Sequence, residues 1–388
     1  MSETPASSPR TIRIKVVHVV VAGDVGGAER LLVDIASRPD HSRADHCIAL
    51  MTPNPSLRAL FVDAGLKVHD RGPVHENPLA YLWRSFGPAD ASWLVNVLRV
   101  EHADVVHLHT FGSHVIGVRA AHKLGLPVVR TEHGIRHYLD VTCSPFEPWA
   151  IQRTDKIIAV SQFVADFTLK AAPYARSKIQ TIRNAVDTDY FQPAPVPGDA
   201  PFTFAIICRL EMVKRVDLAI RAIANLPDTR LLVVGDGSAR PSLEALAYKL
   251  RIGERICFAG YQSDPRSFIA KSHVALNCAA AEPLGLSLLE AQAMARPVIA
   301  MSGGGVSEII QDAHTGWLVV EPSVDGLAIA MAEAAADRER CATMGENARR
   351  FVERECRIET MCERYADVYG NVVGRRASSL APRHVPSV

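Results

Sequence analysis

Apolar positions along this chain fall into short continuous runs that alternate with stretches of helical spacing. Residues 12–21 are apolar almost throughout, 23–27 break the run with glycine, and 28–37 carry Leu31, Leu32 and Ile35 one helical turn apart. The same alternation predicts strands over 47–51, 66–70, 105–108, 128–131 and 156–160, with helices over 57–64, 91–101 and 116–124 between them. Ser161 starts a further helix, and 179–184 leads into N-A-V-D at 184–187. Strands that are apolar on both faces and separated by helices belong to a parallel sheet covered on both sides, so the first half predicts a doubly wound α/β domain. The pattern stops at 191–201, F-Q-P-A-P-V-P-G-D-A-P, whose prolines and missing core periodicity mark a linker. It restarts with strands over 202–208, 231–234 and 256–258 and helices over 218–226 and 243–250, a second doubly wound domain. Amphipathic helices are expected over 325–336, 344–353 and 359–373, the last with Met361, Tyr365, Val368 and Val372 on one side.

Within the second half, 275–310 concentrates the candidate chemistry. A strand over 273–277, a helix over 285–295 with Leu286, Leu289, Ala293 and Met294 inward, and a strand over 297–301 make a parallel crossover. Ligands of such sheets lie beyond the carboxyl ends of the strands, where 279–285 and 302–308 fall. On this reading Glu282 and Glu290 face one crevice, Pro283 takes the first helical position, and Gly285 lets an anion approach free N–H groups at the positive end of the helix dipole. Glu290, about two turns along, is placed to accept hydrogen bonds from vicinal hydroxyls. The plainer reading is a glycine-started helix with two unrelated glutamates, and spacing alone does not choose between them.

Other stretches limit the chemistry. G-D-V-G-G-A-E-R at 23–30 is not G-x-G-x-x-G, which argues against a nicotinamide cofactor. His107 and His109 alternate at a strand end and so share a face; no third ligand follows at zinc spacing, so the expectation is no metal, with one histidine packed and the other lining a cleft. In R-T-E-H-G at 130–134 the direction of Glu132 and His133 depends on where strand pairing stops, which is left open. The 388 residues are 48% hydrophobic and 22% charged with a net charge of +1, enough for two domains and against a dedicated nucleic-acid binder. The eight cysteines contain no C-x-x-C and lie mostly in apolar runs, as reduced core residues of a cytosolic protein do. M-S-E-T-P-A-S-S-P lacks the order of a signal peptide, and no run reaches the roughly 18 apolar residues that span a bilayer. A cytoplasmic protein, at most peripheral on the inner face of the membrane, is expected.

E-P-L-G-L-S-L-L-E-A at 282–291 resembles the E-x7-E motif of the retaining GT-B glycosyltransferases, specifically family 4. The resemblance extends over about 12–373. It implies two Rossmann-like doubly wound domains facing a cleft: an acceptor-side domain over 12–190, the linker at 191–201, a sugar-nucleotide domain over 202–355 and a helix over 356–373 that crosses back, with disordered tails at 1–11 and 374–388. It assigns Glu282 to the hydroxyls of the donor sugar and Glu290 to the ribose, with Pro283, Leu284, Gly285 and Leu286 between them also on the donor. G-G-A-E-R resembles the first loop, whose Gly26 and Gly27 approach the donor phosphate or the acceptor. R-L-E-M-V-K matches R-L-x-x-x-K and puts Arg209 and Lys214 on the diphosphate, G-D-G places Gly235 and Gly237 near the nucleotide, and His133 falls beside the donor sugar. N-A-V-D departs from the usual N-G-V-D, so Ala185 requires a local difference if that position needs a positive φ.

The activity implied is transfer of a sugar from a UDP- or GDP-sugar to a hydroxyl with the anomeric configuration retained, without cofactor or metal, in synthesis of a bacterial surface glycan or glycolipid. Trp83, Phe86, Arg136 and Tyr138 are candidate acceptor contacts. Trp83, Arg84 and Phe86 in an exposed loop, with Arg375, Arg376 and Arg383 in a basic tail, suggest a lipid-linked acceptor and peripheral membrane contact. The alternatives are a sugar-nucleotide epimerase of the same fold, which lacks E-x7-E, and a non-catalytic sugar-nucleotide binder, which has no need to keep His133, Arg209, Lys214 and both glutamates.

Overall fold

The computed structural model describes residues 13–22, 25–52, 54–72, 83–109, 111–139, 146–198 and 201–380; the expected tail at 1–11, Gly23, Asp24 and Arg383 lie outside them. The first sheet has seven parallel strands: β1 Ile14–Val20, β2 Ala44–Leu50, β3 Lys67–Asp70, β4 Val105–Leu108, β5 Val128–Glu132, β6 Lys156–Ala159 and β7 Ile179–Thr181, in the order β3-β2-β1-β4-β5-β6-β7. The chain winds outward from β1 to β3 and returns to lay β4 against the other side of β1. The loops after β1 and β4 therefore diverge, and a crevice opens between them.

The second sheet has six parallel strands: β8 Phe202–Ile207, β9 Thr229–Val234, β10 Ile256–Gly260, β11 Val274–Asn277, β12 Val298–Met301 and β13 Gly316–Val319, in the order β10-β9-β8-β11-β12-β13. Its switch point lies between β8 and β11, so Arg209–Lys214 and Glu282–Glu290 leave the sheet on either side of one crevice. Two doubly wound parallel sheets are what the alternation predicted. β13 escaped that reading because its apolar run is only four residues long and follows a polar, glycine-rich stretch.

The helix Ile358–Leu380 crosses back to the first domain. Its Ile358, Met361, Tyr365, Val368, Tyr369 and Val372 are buried against Val16, Leu31, Ile35, Val105 and Val129. Burying such side chains is worth on the order of 1.5–3 kcal/mol each, far more than the helix's own propensity supplies. The helix also continues beyond 373, where a disordered tail was expected; there Arg376 ties it to the first domain, its Nε donating to the Gly125 carbonyl at 2.9 Å.

The two domains touch at polar and apolar points. Glu308 accepts from the backbone N–H groups of Gln162 and Phe163, both at 2.9 Å, and so caps the helix Gln162–Ala171 of the other domain, whose own cap Ser161 accepts from Val164 at 3.1 Å. Arg30 donates to the Ser263 carbonyl at 3.0 Å and the Tyr261 hydroxyl at 3.1 Å. Ala185 is buried and is not among the residues with positive φ, so the alanine in N-A-V-D carries no backbone strain.

Candidate active site

After β8 the chain makes a short turn, Met212–Lys214, then passes through Arg215 in the left-handed region (φ 49°) into the helix Val216–Ala224. This turn brings Lys214 Nζ to 2.7 Å from Glu282 Oε2, with the two side chains only 22% and 13% exposed. Asn277, the last residue of β11, donates its Nδ2 to the same carboxylate oxygen at 3.2 Å while its Oδ1 accepts from Ala279 N at 2.9 Å. Glu282 is thereby held from both strands of the switch point. Arg209 is looser: its side chain is 52% exposed and, among the described residues, reaches only Glu211, at 3.2 Å. Asn277 was missed in the sequence, where an amide ending an apolar run looks like a simple strand end.

The glycines of G-D-G support this turn from behind. A Cβ at Gly235 would lie 1.9 Å from the Cys208 carbonyl oxygen and one at Gly237 2.5 Å from that of Leu210, whose N–H donates to the Asp236 carbonyl at 2.8 Å. Both glycines thus pack backbone on backbone beneath Arg209–Lys214.

The helix that follows Glu282 runs Leu286–Ala293 and is capped by Gly285 at φ 98°, ψ 69°, a conformation that suits glycine. Pro283 therefore does not occupy the first helical position that its residue type suggested; it lies in the loop before the cap. There the loop rests on the glycine run of the next strand end, since a Cβ at Gly303, Gly304 or Gly305 would fall 1.7, 2.1 and 2.1 Å from the carbonyl oxygens of Ala280, Glu282 and Pro283. In the first turn Leu288 N–H donates to the Gly285 carbonyl at 3.0 Å, while the N–H groups of Leu286 and Ser287 have no partner among the described residues.

Glu290 has a different environment. Burial pushes its carboxyl up to about 7, the carboxylates of Asp34 and Asp264 add to that, and Arg30 only partly opposes it. Asp34, on the helix Gly27–Ala36 of the other domain, is itself pushed by burial to about 6. A carboxyl raised above its unfolded value adds stability that is present in full below about pH 4.5 and is lost as the pH rises through about 7. Glu290→Gln should consequently raise the melting temperature at pH 8, by roughly 2–4 °C for each kcal/mol relieved, and leave it nearly unchanged at pH 4.5. Scanning calorimetry at the two pH values checks this; an equal shift at both would separate the gain from the carboxyl's titration.

The opposite wall belongs to the first domain. At the end of β5 Glu132 turns inward: the Tyr138 hydroxyl donates to it at 3.0 Å, His137 Nε2 lies 3.1 Å away, and Arg130 forms an ion pair with it. Burial, the largest single influence, would raise this carboxyl, but Arg130 together with the neighbouring His137 and His114 outweighs it and holds Glu132 well below the usual range. With Glu132 inside, His133 faces the cleft, its Nε2 3.2 Å from His109 Nδ1, and burial brings it down to about 4, so it is neutral at pH 7. The next residue meets the second domain, as a Cβ at Gly134 would touch Pro283 at 3.8 Å. Gly27 comes closer still: its Cβ would fall 2.9 Å from Leu286 Cδ1, while Gly26 N–H is already taken by Glu29 at 2.9 Å.

His107 is packed, with Nδ1 on the Tyr369 hydroxyl and Nε2 on Thr131 Oγ1, both at 2.8 Å. His18, His107 and His109 place ligand atoms within 4.8 Å of one another, as a metal site would. Every ring nitrogen of the three also has a hydrogen-bond partner inside the protein.

Among the candidate acceptor contacts, Arg136 reaches across the cleft to Glu211 at 3.8 Å and Trp83 is 75% exposed. Tyr138 instead commits its hydroxyl to Glu132 and is not a free contact; Arg84, expected to face a membrane, is tied to Asp90 and to the Met51 carbonyl, each at 2.6 Å. Residues 83–86 form a helical turn, not the loop expected, and Phe86 packs on Phe146 with ring centroids 4.9 Å apart.

Sequence models of two families match in tandem: Glycosyltransferase Family 4 over residues 25–190 and Glycosyl transferases group 1 over 188–351. The N-acetyl-alpha-D-glucosaminyl L-malate synthase of Bacillus anthracis is 29% identical over 304 residues, 73% of this chain and 78% of the relative. A D-inositol 3-phosphate glycosyltransferase of Mycobacterium sp. (strain KMS) is 30% identical over 262 residues, and the match spans 59% of each protein. Among solved structures, Anabaena HepE, crystallised with UDP and glucose, superposes with a TM-score of 0.82 at 21% identity, covering 92% of this chain and all of that one.

Proposed function

This chain belongs to the family 4 glycosyltransferases and has their GT-B fold, and on that premise we propose that it transfers a glycosyl group from a nucleoside diphosphate sugar to a hydroxyl with the anomeric configuration retained. The observation that carries the donor reading is the Lys214–Glu282 pair at the switch point of the second sheet, set against the start of the Leu286–Ala293 helix. A cation, a half-exposed Arg209 and unpaired helix N–H groups converge there, which is what a leaving diphosphate requires as charge grows on its bridging oxygen. Glu282 is placed for the sugar hydroxyls and Glu290 for the ribose, with Gly27 and Leu286 lining the approach; Leu284, expected on the donor, is instead buried in the core of the second domain. HepE, which shares the fold, was crystallised with UDP and glucose and with UDP-glucose, in keeping with such a donor. Because the chain's own cations act on the diphosphate, turnover should persist in a chelator.

The test is incubation with a panel of UDP- and GDP-sugars, with and without hydroxyl acceptors, following free nucleoside diphosphate and the anomeric configuration of the product by NMR. Acceptor-dependent release with retention supports the reading. Tight binding without release makes the chain a sugar-nucleotide binder, and release without acceptor, with epimerised sugar, makes it an epimerase.

For the acceptor we favour a lipid-linked or surface glycan. No described helix is long and apolar enough to cross a membrane, while Trp83 and Phe86 stand exposed on the acceptor-side domain. Flotation with anionic liposomes at low salt should carry wild-type protein upward and Trp83→Ala less so; no flotation of either rules out the membrane contact.

A further inference from the structure

Behind His133 lies a file of imidazoles that the reaction as described does not use. His109 Nδ1 meets His133 Nε2 at 3.2 Å, His18 Nδ1 meets His109 Nε2 at 2.8 Å, His46 Nδ1 meets His18 Nε2 at 2.8 Å, and Ser42 Oγ meets His46 Nε2 at 2.8 Å. Each ring spends both nitrogens, except that His133 Nδ1 has no partner among the described residues.

The far end decides which nitrogens carry the protons. Ser42 Oγ lies 3.0 Å from the Arg38 carbonyl, and a carbonyl can only accept, so the serine proton goes there. His46 must then donate from Nε2 to the serine oxygen, which leaves its Nδ1 bare to accept from His18 Nε2–H. The same step repeats through His109 to His133. Burial lowers His18 and His109 well below 6.5 and takes His46 and His133 to about 4, so every ring is neutral at pH 7 and holds a single proton.

We infer that Ser42, His46, His18 and His109 fix His133 in the Nε2–H tautomer, so that it presents a bare Nδ1 acceptor to the cleft and selects a group there that donates a hydrogen bond, a hydroxyl of the transferred sugar. The role of that hydroxyl rests on the donor reading above; the tautomer does not. His46, His18 and His109 are positioning residues, acting through the ring ahead of each. A site whose acceptor is built in rejects an analogue that lacks the matching hydroxyl, because the bare nitrogen would be left unpaired.

Nitrogen-15 NMR of histidine-labelled, ligand-free wild-type protein at pH 7 reads the tautomer directly. The expected result is a His133 proton on Nε2 alone; a proton on Nδ1, or an even mixture, overturns the inference. In His18→Phe, His109 loses its acceptor and is free to donate from Nδ1, so His133 should acquire an Nδ1–H population. Turnover should then fall by roughly tenfold, the size of one neutral hydrogen bond, with a smaller change in KM for the donor. His107→Phe is the structural control: it is equally buried but outside the file and should leave the His133 tautomer unchanged. If folded His18→Phe keeps His133 wholly as Nε2–H, the file does not set the tautomer and the inference fails. The NMR needs no substrate, so absent sugar-nucleotide turnover alongside the expected tautomer would count against the donor reading alone.

Discussion

Lys214→Ala should lower turnover by roughly 100-fold while KM for the donor changes far less. A hydrogen bond to a charged group contributes on the order of 1.5–3 kcal/mol, which spans about 10- to 100-fold in rate. Lys214 belongs at the upper end because it is only 22% exposed and is aimed by Glu282 at 2.7 Å, whereas Arg209 is 52% exposed and its field is screened by water. Arg209→Ala should therefore cost nearer tenfold. Both losses fall on turnover because the bridging oxygen gains charge only as the glycosidic bond stretches, so the cation interacts more strongly with the transition state than with the bound donor. Turnover number and KM of each variant, with circular dichroism to establish folding, are the measurements. A folded Lys214→Ala protein with wild-type turnover would remove the lysine from the mechanism and leave the helix start at Gly285 as the stabiliser of the leaving group.

Glu282→Gln should cost about as much turnover, for a different reason, and should separate Glu282 from Glu290. The amide keeps the shape of the side chain but abolishes the ion pair with Lys214 and the strong acceptor for sugar hydroxyls. Freed of its counter-charge, Lys214 still meets the diphosphate, so affinity for the bare nucleoside diphosphate should stay within about threefold of wild type, under ~0.7 kcal/mol, or tighten. Glu290→Gln, by contrast, should weaken the bare nucleotide whatever sugar is attached. Titration calorimetry with UDP and GDP decides the point. Equal losses of nucleotide affinity in the two variants would show that the carboxylates do not divide the donor between sugar and ribose.

Much of the scaffold was legible because parallel strands buried on both faces read as unbroken apolar runs. Less legible were features that depend on what lies across space. Pro283 looked like a helix start because proline is at ease in the first turn, yet the chain needs Gly285 in the left-handed region to turn into the helix, and the proline falls before it. Glu132 and His133 could not be told apart in sequence; buried Arg130, Tyr138 and His137 draw the glutamate inward and leave the histidine to the cleft. His18 sat in its expected strand as an isolated polar interruption and His46 fell just before the strand expected at 47–51, and only the sheet order β2-β1-β4-β5 lines them up with His109 and His133. Glu308, the cap on the other domain's helix, carried no local signal because its partners are backbone N–H groups about 145 residues away.

On this reading the donor nucleotide lies at the switch point of the second sheet. A crystal structure of the chain soaked with UDP or GDP tests it most directly. The expected density places the ribose hydroxyls on Glu290 and the diphosphate between Lys214, Arg209 and the N–H groups that follow Gly285. A nucleotide seated instead at the carboxyl ends of the first sheet, away from Glu282 and Glu290, would contradict it.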